Sequence, residues 1–330
     1  MSARRKHHFE QELFEFAQED GERRKGVDEL LASVEEYARP ARFLKLLAGI
    51  AHFRDYSPNN ALMIVLQRPD ARYVLTPRKW KSLGRFVKRG ACPIIALRPF
   101  APVMYLYDVS DTKVEYGRRD GFDASWAEQS ARDPEAEVPP ETLQQLLDNL
   151  PLWGIAHGTF PTGPSLAVEL RVGGDEDEVL AIPVDGETVT CRPAYVLHTR
   201  EGAPDTIVFT ALVQALARIF CRHVRCGYER GWETSRSVSA EVEQFEVQAV
   251  AGLVCRRLQV ASPSCSFWAD CEFERRDIPP ISLDAVCDAV TEIERMLEPC
   301  TVRQGYLYRH SPSFAAQILC RGVLVSFWAR

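Results

Sequence analysis

A chain of 330 residues, 46% of them hydrophobic, is long enough for two domains of ordinary size, and a net charge of −6 excludes a protein that is basic throughout. No stretch reaches the ~18 uninterrupted apolar residues of a membrane span. Residues 1–20 also lack the apolar segment of a secretory leader, so a cytoplasmic protein without a membrane partner is expected.

The ten cysteines form no paired CxxC knuckles. Spacings such as Cys221-x4-Cys226 and Cys265-x5-Cys271 do not suit structural zinc, and a chain of this size does not need disulfide staples, so reduced and mostly buried thiols are expected.

In chain order, Arg4, Arg5, Lys6, His7 and His8 read as a solvated terminus. Residues 9–38 read as a charged helix, with Phe9, Leu13 and Phe16 and then Val27, Leu30, Leu31 and Val34 at helical spacing. A second helix over 40–52 carries Phe43, Leu44, Leu46, Leu47 and Ile50 on one side. Ser57 and Pro58 fit the cap and first turn of a third helix running through Leu62, Met63, Val65 and Leu66.

Charge then separates one stretch from the rest. Residues 41–100 hold twelve Lys or Arg against Asp55 and Asp70, a local surplus of ten positive charges, which leaves −16 for the remainder. Such asymmetry points to a polyanionic partner for this segment alone. Asn59 and Asn60 lie in a helix first turn, where their amides either cap the helix or reach a base edge or phosphate. Arg68 and Arg72 lie near Tyr73.

Residues 76–84 read as a short helix with Thr76 as cap, Pro77 at its first position and Gly84 as its stop. Trp80, Leu83 and Val87 are its apolar positions, leaving Arg78, Lys79, Lys81 and Arg85 to project outward. A single strand is held by cations for its phosphates and aromatic faces for its bases, and this interleaving suits it better than a duplex. Trp80 is a stacking candidate, although its spacing to Leu83 favours a core position, with Tyr56 and Tyr73 as alternative rings. Lys88-Arg89-Gly90 forms a basic turn before strands expected over 94–97 and 103–109.

The order SPNNAL, QRPDAR, Thr76-x3-Trp80, LGRFVKRGACPIIALRP and YDVSDT, covering roughly residues 40–115, resembles the N-terminal domain of ArdC-type antirestriction proteins. The resemblance implies binding of single-stranded DNA. Carried onto this chain, the nucleic-acid-binding set is Tyr56, Asn59, Asn60, Arg68, Arg72, Arg78, Lys79, Trp80, Lys81, Arg85, Lys88 and Arg89. One departure is Ala91-Cys92-Pro93, which replaces a charged turn of the family.

Residues 118–140 are polar, acidic and proline-containing and read as an exposed linker between a domain over 1–117 and a second over 141–330. The second domain opens with a helix over 141–149, followed by strands over 166–172, 178–183 and 194–197 and a long helix over 206–223. An α+β architecture is expected for both domains.

In ArdC-like proteins the second domain resembles zinc metallopeptidases of the ImmA/IrrE type, whose central helix carries His-Glu-x-x-His. In that helix two imidazoles one turn apart share the metal and the glutamate activates water. Here the matching run is Val213-Gln214-Ala215-Leu216-Ala217, so both histidines and the glutamate are replaced. On the next helix, 243–258, Glu246 survives of the family's acids and a later one has become Gln248. His223 reads as an exposed residue complementing the helix C-terminus. The resemblance therefore implies a degenerate peptidase domain with no catalytic residues, no metal and no cofactor, used for packing or partner docking.

Residues 264–277 and a helix over 282–297 read as core, with Phe267, Trp268, Phe273, Leu283, Val286, Ala289, Val290 and Ile293. The apolar tail 315–328 is too short to span a bilayer and reads as packing onto the domain or a second chain.

Three function classes result. The first is an ArdC-type single-stranded-DNA-binding protein with an inactive second domain. The second is a peptidase or other hydrolase with a non-standard site built from Glu241, Glu243, Glu246 and His223, although carboxylates in this pattern on one helix are better explained as a solvated, salt-bridged face. The third is a regulatory module whose second domain holds a protein or peptide; the first and third are compatible.

Overall fold

The structure is a computed structural model that describes residues 40–98, 101–117, 119–126, 136–161, 166–173, 179–184, 187–225, 235–262 and 278–298. The helix expected over 9–38, the segment 264–277 and the tail 315–328 lie outside the described residues. The architecture is a mixture of helix and sheet.

Two helices open it, α1 (Pro40–His52) and α2 (Pro58–Gln67). The apolar face of α1, Phe43, Leu44, Leu46, Leu47 and Ile50, is buried. Ser57 accepts from the Asn60 amide and Pro58 fills the first turn of α2, as the sequence implied. The two helices approach closely at Gly49, where a Cβ would stand 2.6 Å from Val65 Cγ2.

There follow β1 (Val74–Leu75), α3 (Pro77–Ser82), β2 (Arg85–Val87), β3 (Ile94–Arg98), β4 (Ala101–Asp108) and β5 (Thr112–Val114). β4 is the middle of an antiparallel sheet in the order β1-β4-β3, and β2 pairs with β5. Thr76 caps α3, and Gly84 ends the turn after it with φ of 76°, a conformation glycine adopts without steric cost. The β3–β4 register sets Ile95 opposite Tyr105. Ile94, Ala96 and Leu106 are buried on one face, while Ile95, Leu97 and Tyr105 point out from the other.

The outer edge of β3 is closed by side chains of α2. Gln67 donates through Nε2 to the Ile95 carbonyl (2.7 Å) and accepts from the Ile95 amide (2.9 Å). Asn60 does the same to Leu97 at 3.0 and 2.8 Å. Two amide side chains thus stand where a neighbouring strand would.

The region expected to be an exposed linker is held down at both ends. Phe122 and Trp126 join Tyr73 and Trp80 in an aromatic cluster with ring centroids 5.1–6.0 Å apart. Arg85 pairs with Asp120, and the Gly121 amide donates to the Leu83 carbonyl. At the far end Ala136 bridges to Val260, and Val138 is buried.

The second half contains α4 (Pro140–Asn149), a 3-10 turn (Leu150–Trp153), β6 (Ile155–Phe160), β7 (Val168–Val172), β8 (Leu180–Val184), β9 (Glu187–Cys191) and β10 (Tyr195–Arg200). After them come α5 (Asp205–Phe220), α6 (Ala240–Leu258) and α7 (Leu283–Met296). β10 lies between β6, to which it is parallel, and β7, to which it is antiparallel; β8 and β9 form a hairpin. The helix expected to run to residue 223 stops at Phe220, and Arg222 turns the chain at φ of 61°.

Among the described residues one hydrophobic cluster runs from Phe43 to Met296, across the expected linker. Arg257 of α6 reinforces that continuity. It donates to the carbonyls of Ile50, Phe53, Arg54 and Tyr56 at the end of α1, and its guanidinium is paired with Glu294.

Candidate nucleic-acid interface

The structure divides the twelve residues expected to meet nucleic acid into two groups. One group is committed to the fold. The Tyr56 hydroxyl donates to the Val74 carbonyl, and burial, with Asp55 nearby, pushes its pKa well up, so it stays a neutral donor. Asn59 donates to Asp288 (2.9 Å), and Asn60 closes the β3 edge, so both side chains bond within the fold. Arg68 pairs with Asp111 and donates to Ser110.

Trp80 is completely buried, and its Nε1 donates to the Tyr107 carbonyl (2.8 Å), which removes it as a stacking surface. Its spacing to Leu83 carried that outcome in the sequence. Arg85 does not project outward. It lies over the rings of Trp80 and Phe122, donates to Thr112 and pairs with Asp120.

The other group remains at the surface. Arg72, Arg78, Lys79, Lys81 and Arg89 are exposed, and their side chains have no ion-pair or hydrogen-bond partner among the described residues. Lys88 is also exposed, with Nζ donating to the Ser110 carbonyl. α3 holds Arg78, Lys79 and Lys81 outward because Trp80 anchors its opposite side.

Asp108 fixes this surface from beneath. Its buried carboxylate accepts from the amides of Arg72, Tyr73 and Ser110. Burial pushes its pKa up, but hydrogen bonds from Ser110, Tyr73 and Arg72 outweigh that and hold it below the ordinary carboxylate range.

Sequence reasoning misses two exposed rings on the strands that follow α3. Tyr105 is 53% exposed and Phe86 40%, with Lys113 Nζ 4.8 Å from the Phe86 ring centroid. The run APVMYLYD of β4 is apolar on both faces, so alternation alone does not tell which ring faces water.

A second cluster lies in the other half, and here two expectations are corrected. His223 is not an exposed helix-end residue, because its side chain is 1% exposed and Nε2 lies 2.6 Å from Glu246 Oε2. The chain leaves α5 at Phe220 and turns His223 inward. Nor is Glu246 part of a solvated acidic face. Its fully buried carboxylate receives both guanidinium nitrogens of Arg236 (2.8 Å each) and the Ser282 amide (2.8 Å). Burial alone would raise its pKa, but the bonds from His223, Arg236 and Ser282 prevail and lower it.

Cys221 joins His223 and Glu246 to make three possible metal donors within 4.8 Å of one another. They are already committed. A cation here would have to displace Arg236 from Glu246, and the Cys221 thiol donates to the Ala285 carbonyl with its pKa raised by burial and by Glu246. The run matching His-Glu-x-x-His fits zinc no better, since the side chains of Val213 and Ala217 are apolar and buried in the core.

No known family model matches the chain, and no curated protein does. Among solved structures it is similar to the Mn(II)-bound crystal structure of the antirestriction ArdC protein from the R388 plasmid. That match has a TM-score of 0.30 and 13% identity, covering 76% of this chain and 88% of that one. The metal-free structure of the same protein matches with a TM-score of 0.28 and 14% identity, covering 77% of this chain and 85% of that one.

Proposed function

We propose that the chain binds single-stranded DNA through the cations of its first 117 residues, in an antirestriction-type role. One observation carries the reading: Arg72, Arg78, Lys79, Lys81 and Arg89 are exposed and unpaired among the described residues, in a chain that is otherwise acidic. Unpaired cations held outward bind phosphates by releasing counterions. The motif order over residues 40–115 supports the antirestriction class.

The second half acts as a catalytically inactive, metallopeptidase-like body. That part rests on Val213, Gln214 and Ala217 at the catalytic positions and on Glu246 being tied to Arg236 and His223.

Fluorescence anisotropy of the full chain with labelled single-stranded and duplex oligonucleotides across a salt series tests the first part. Preference for the single strand is expected, and reversing Arg78, Lys79 and Lys81 to Glu should weaken binding and flatten the log–log salt slope by about 2, at ~0.7 for each phosphate no longer neutralised. Unchanged affinity and slope in the triple variant would remove the cation face from the reading. Metal content of the purified protein tests the second part, and stoichiometric zinc would overturn it.

A further inference from the structure

We infer that the open face of the β1-β4-β3 sheet is a stacking platform for bases of the bound strand, with Tyr105 as its ring; the inference rests on the DNA-binding reading above. Tyr105 is 53% exposed and sits directly across from Ile95, which with Leu97 is more than two-fifths exposed. All three lie on the face opposite the buried Ile94, Ala96 and Leu106. The result is an aromatic ring beside two aliphatic side chains on one sheet face, a surface suited to the face of a nucleobase.

The β3 edge of this sheet is closed off, because Gln67 and Asn60 already occupy the outward amides and carbonyls of Ile95 and Leu97. A peptide cannot add along β3 as a further strand, so Ile95 and Leu97 are reached through the face.

Charge selects the occupant. Trp80 of α3 donates to the carbonyl of Tyr107, two residues and about 7 Å along β4 from Tyr105. The helix carrying Arg78, Lys79 and Lys81 is thereby anchored to the strand that carries the ring. An apolar protein partner would have to desolvate these exposed cations without compensation. A single strand supplies flat apolar bases and phosphates at once, whereas the bases of a duplex are stacked on one another. With Trp80 buried, Tyr105 takes the aromatic role expected of the tryptophan.

The test compares Tyr105→Ala, Tyr105→Phe and the triple charge reversal in the full chain, using a labelled oligothymidine over a salt series. Tyr105→Ala should weaken binding by about 5- to 100-fold with the salt slope unchanged, while Tyr105→Phe keeps wild-type affinity. If Tyr105→Ala binds as wild type while the charge reversal weakens binding, the platform is overturned and the DNA-binding reading stands. Equal losses in the Ala and Phe variants would replace stacking by a hydroxyl contact and also overturn it. Failure of the wild-type chain to bind the oligonucleotide would remove the DNA-binding reading and the platform with it.

Discussion

Gln67 and the backbone of Ile95 exchange two hydrogen bonds, so a helix side chain completes the outer edge of a β-strand. Asn60 repeats the arrangement two residues along the strand, at Leu97. These bonds are solvent-exposed, so each side chain contributes about 0.5–1.5 kcal/mol. Asn60→Ala and Gln67→Ala together should lower urea stability by about 1–3 kcal/mol and open the edge to pairing with a second chain. Sedimentation velocity should then show self-association that rises with concentration. Single-strand affinity of the monomer should be unchanged; a large loss in Asn60→Ala alone would return that residue to the binding surface.

Trp80 organises the cation face without being part of it. Trp80→Ala removes the largest fully buried side chain described and should cost about 3–5 kcal/mol in chemical unfolding. Trp80→Phe retains most of the packing but leaves the Tyr107 carbonyl without its donor, for about 1–3 kcal/mol. Folded Trp80→Phe protein should keep its oligonucleotide affinity, and a selective loss of binding at near-native stability would contradict the burial.

Glu246 ties stability to acidity. Its folded pKa lies below its unfolded value, so the stabilisation is fully present above the ordinary carboxylate range and is lost as pH falls through the depressed value. Glu246→Gln should cost about 3–5 kcal/mol near neutrality, because it removes the buried charge that Arg236 and His223 bond. The gap between variant and wild type should narrow as unfolding is followed from neutral pH to below pH ~4. A pH-independent gap would mean that the carboxylate charge is not what holds the junction.

Local chemistry is the legible part of this molecule. Ser57, Thr76 and Pro77 announce the starts of α2 and α3, and Gly84 announces the turn after α3, because caps and turns depend on a few adjacent residues. Cation number is equally readable. What those cations meet is not: Arg68 and Arg85 find Asp111 and Asp120, 43 and 35 residues away. The same limit hides the Glu246 junction, whose partners come from the turn after α5, from Arg236 and from the start of α7. β6 escapes a pattern-based reading because IAHGTF carries a glycine and is half-exposed along its length, although pairing with the buried β10 defines it.

Arg257 has a consequence for how such a gene can change. The four carbonyls at the end of α1 are met by one guanidinium supplied about two hundred residues later. A fragment ending near residue 125 would expose that helix end, and a recombinant given a foreign second half would need an arginine delivered to the same spot. Insertions should be better tolerated at surface loops such as the one at Gly202, where the turn meets nothing within 4 Å of an added Cβ. Exchange of either half alone would therefore cost this cap as well as the shared core between Phe43 and Met296.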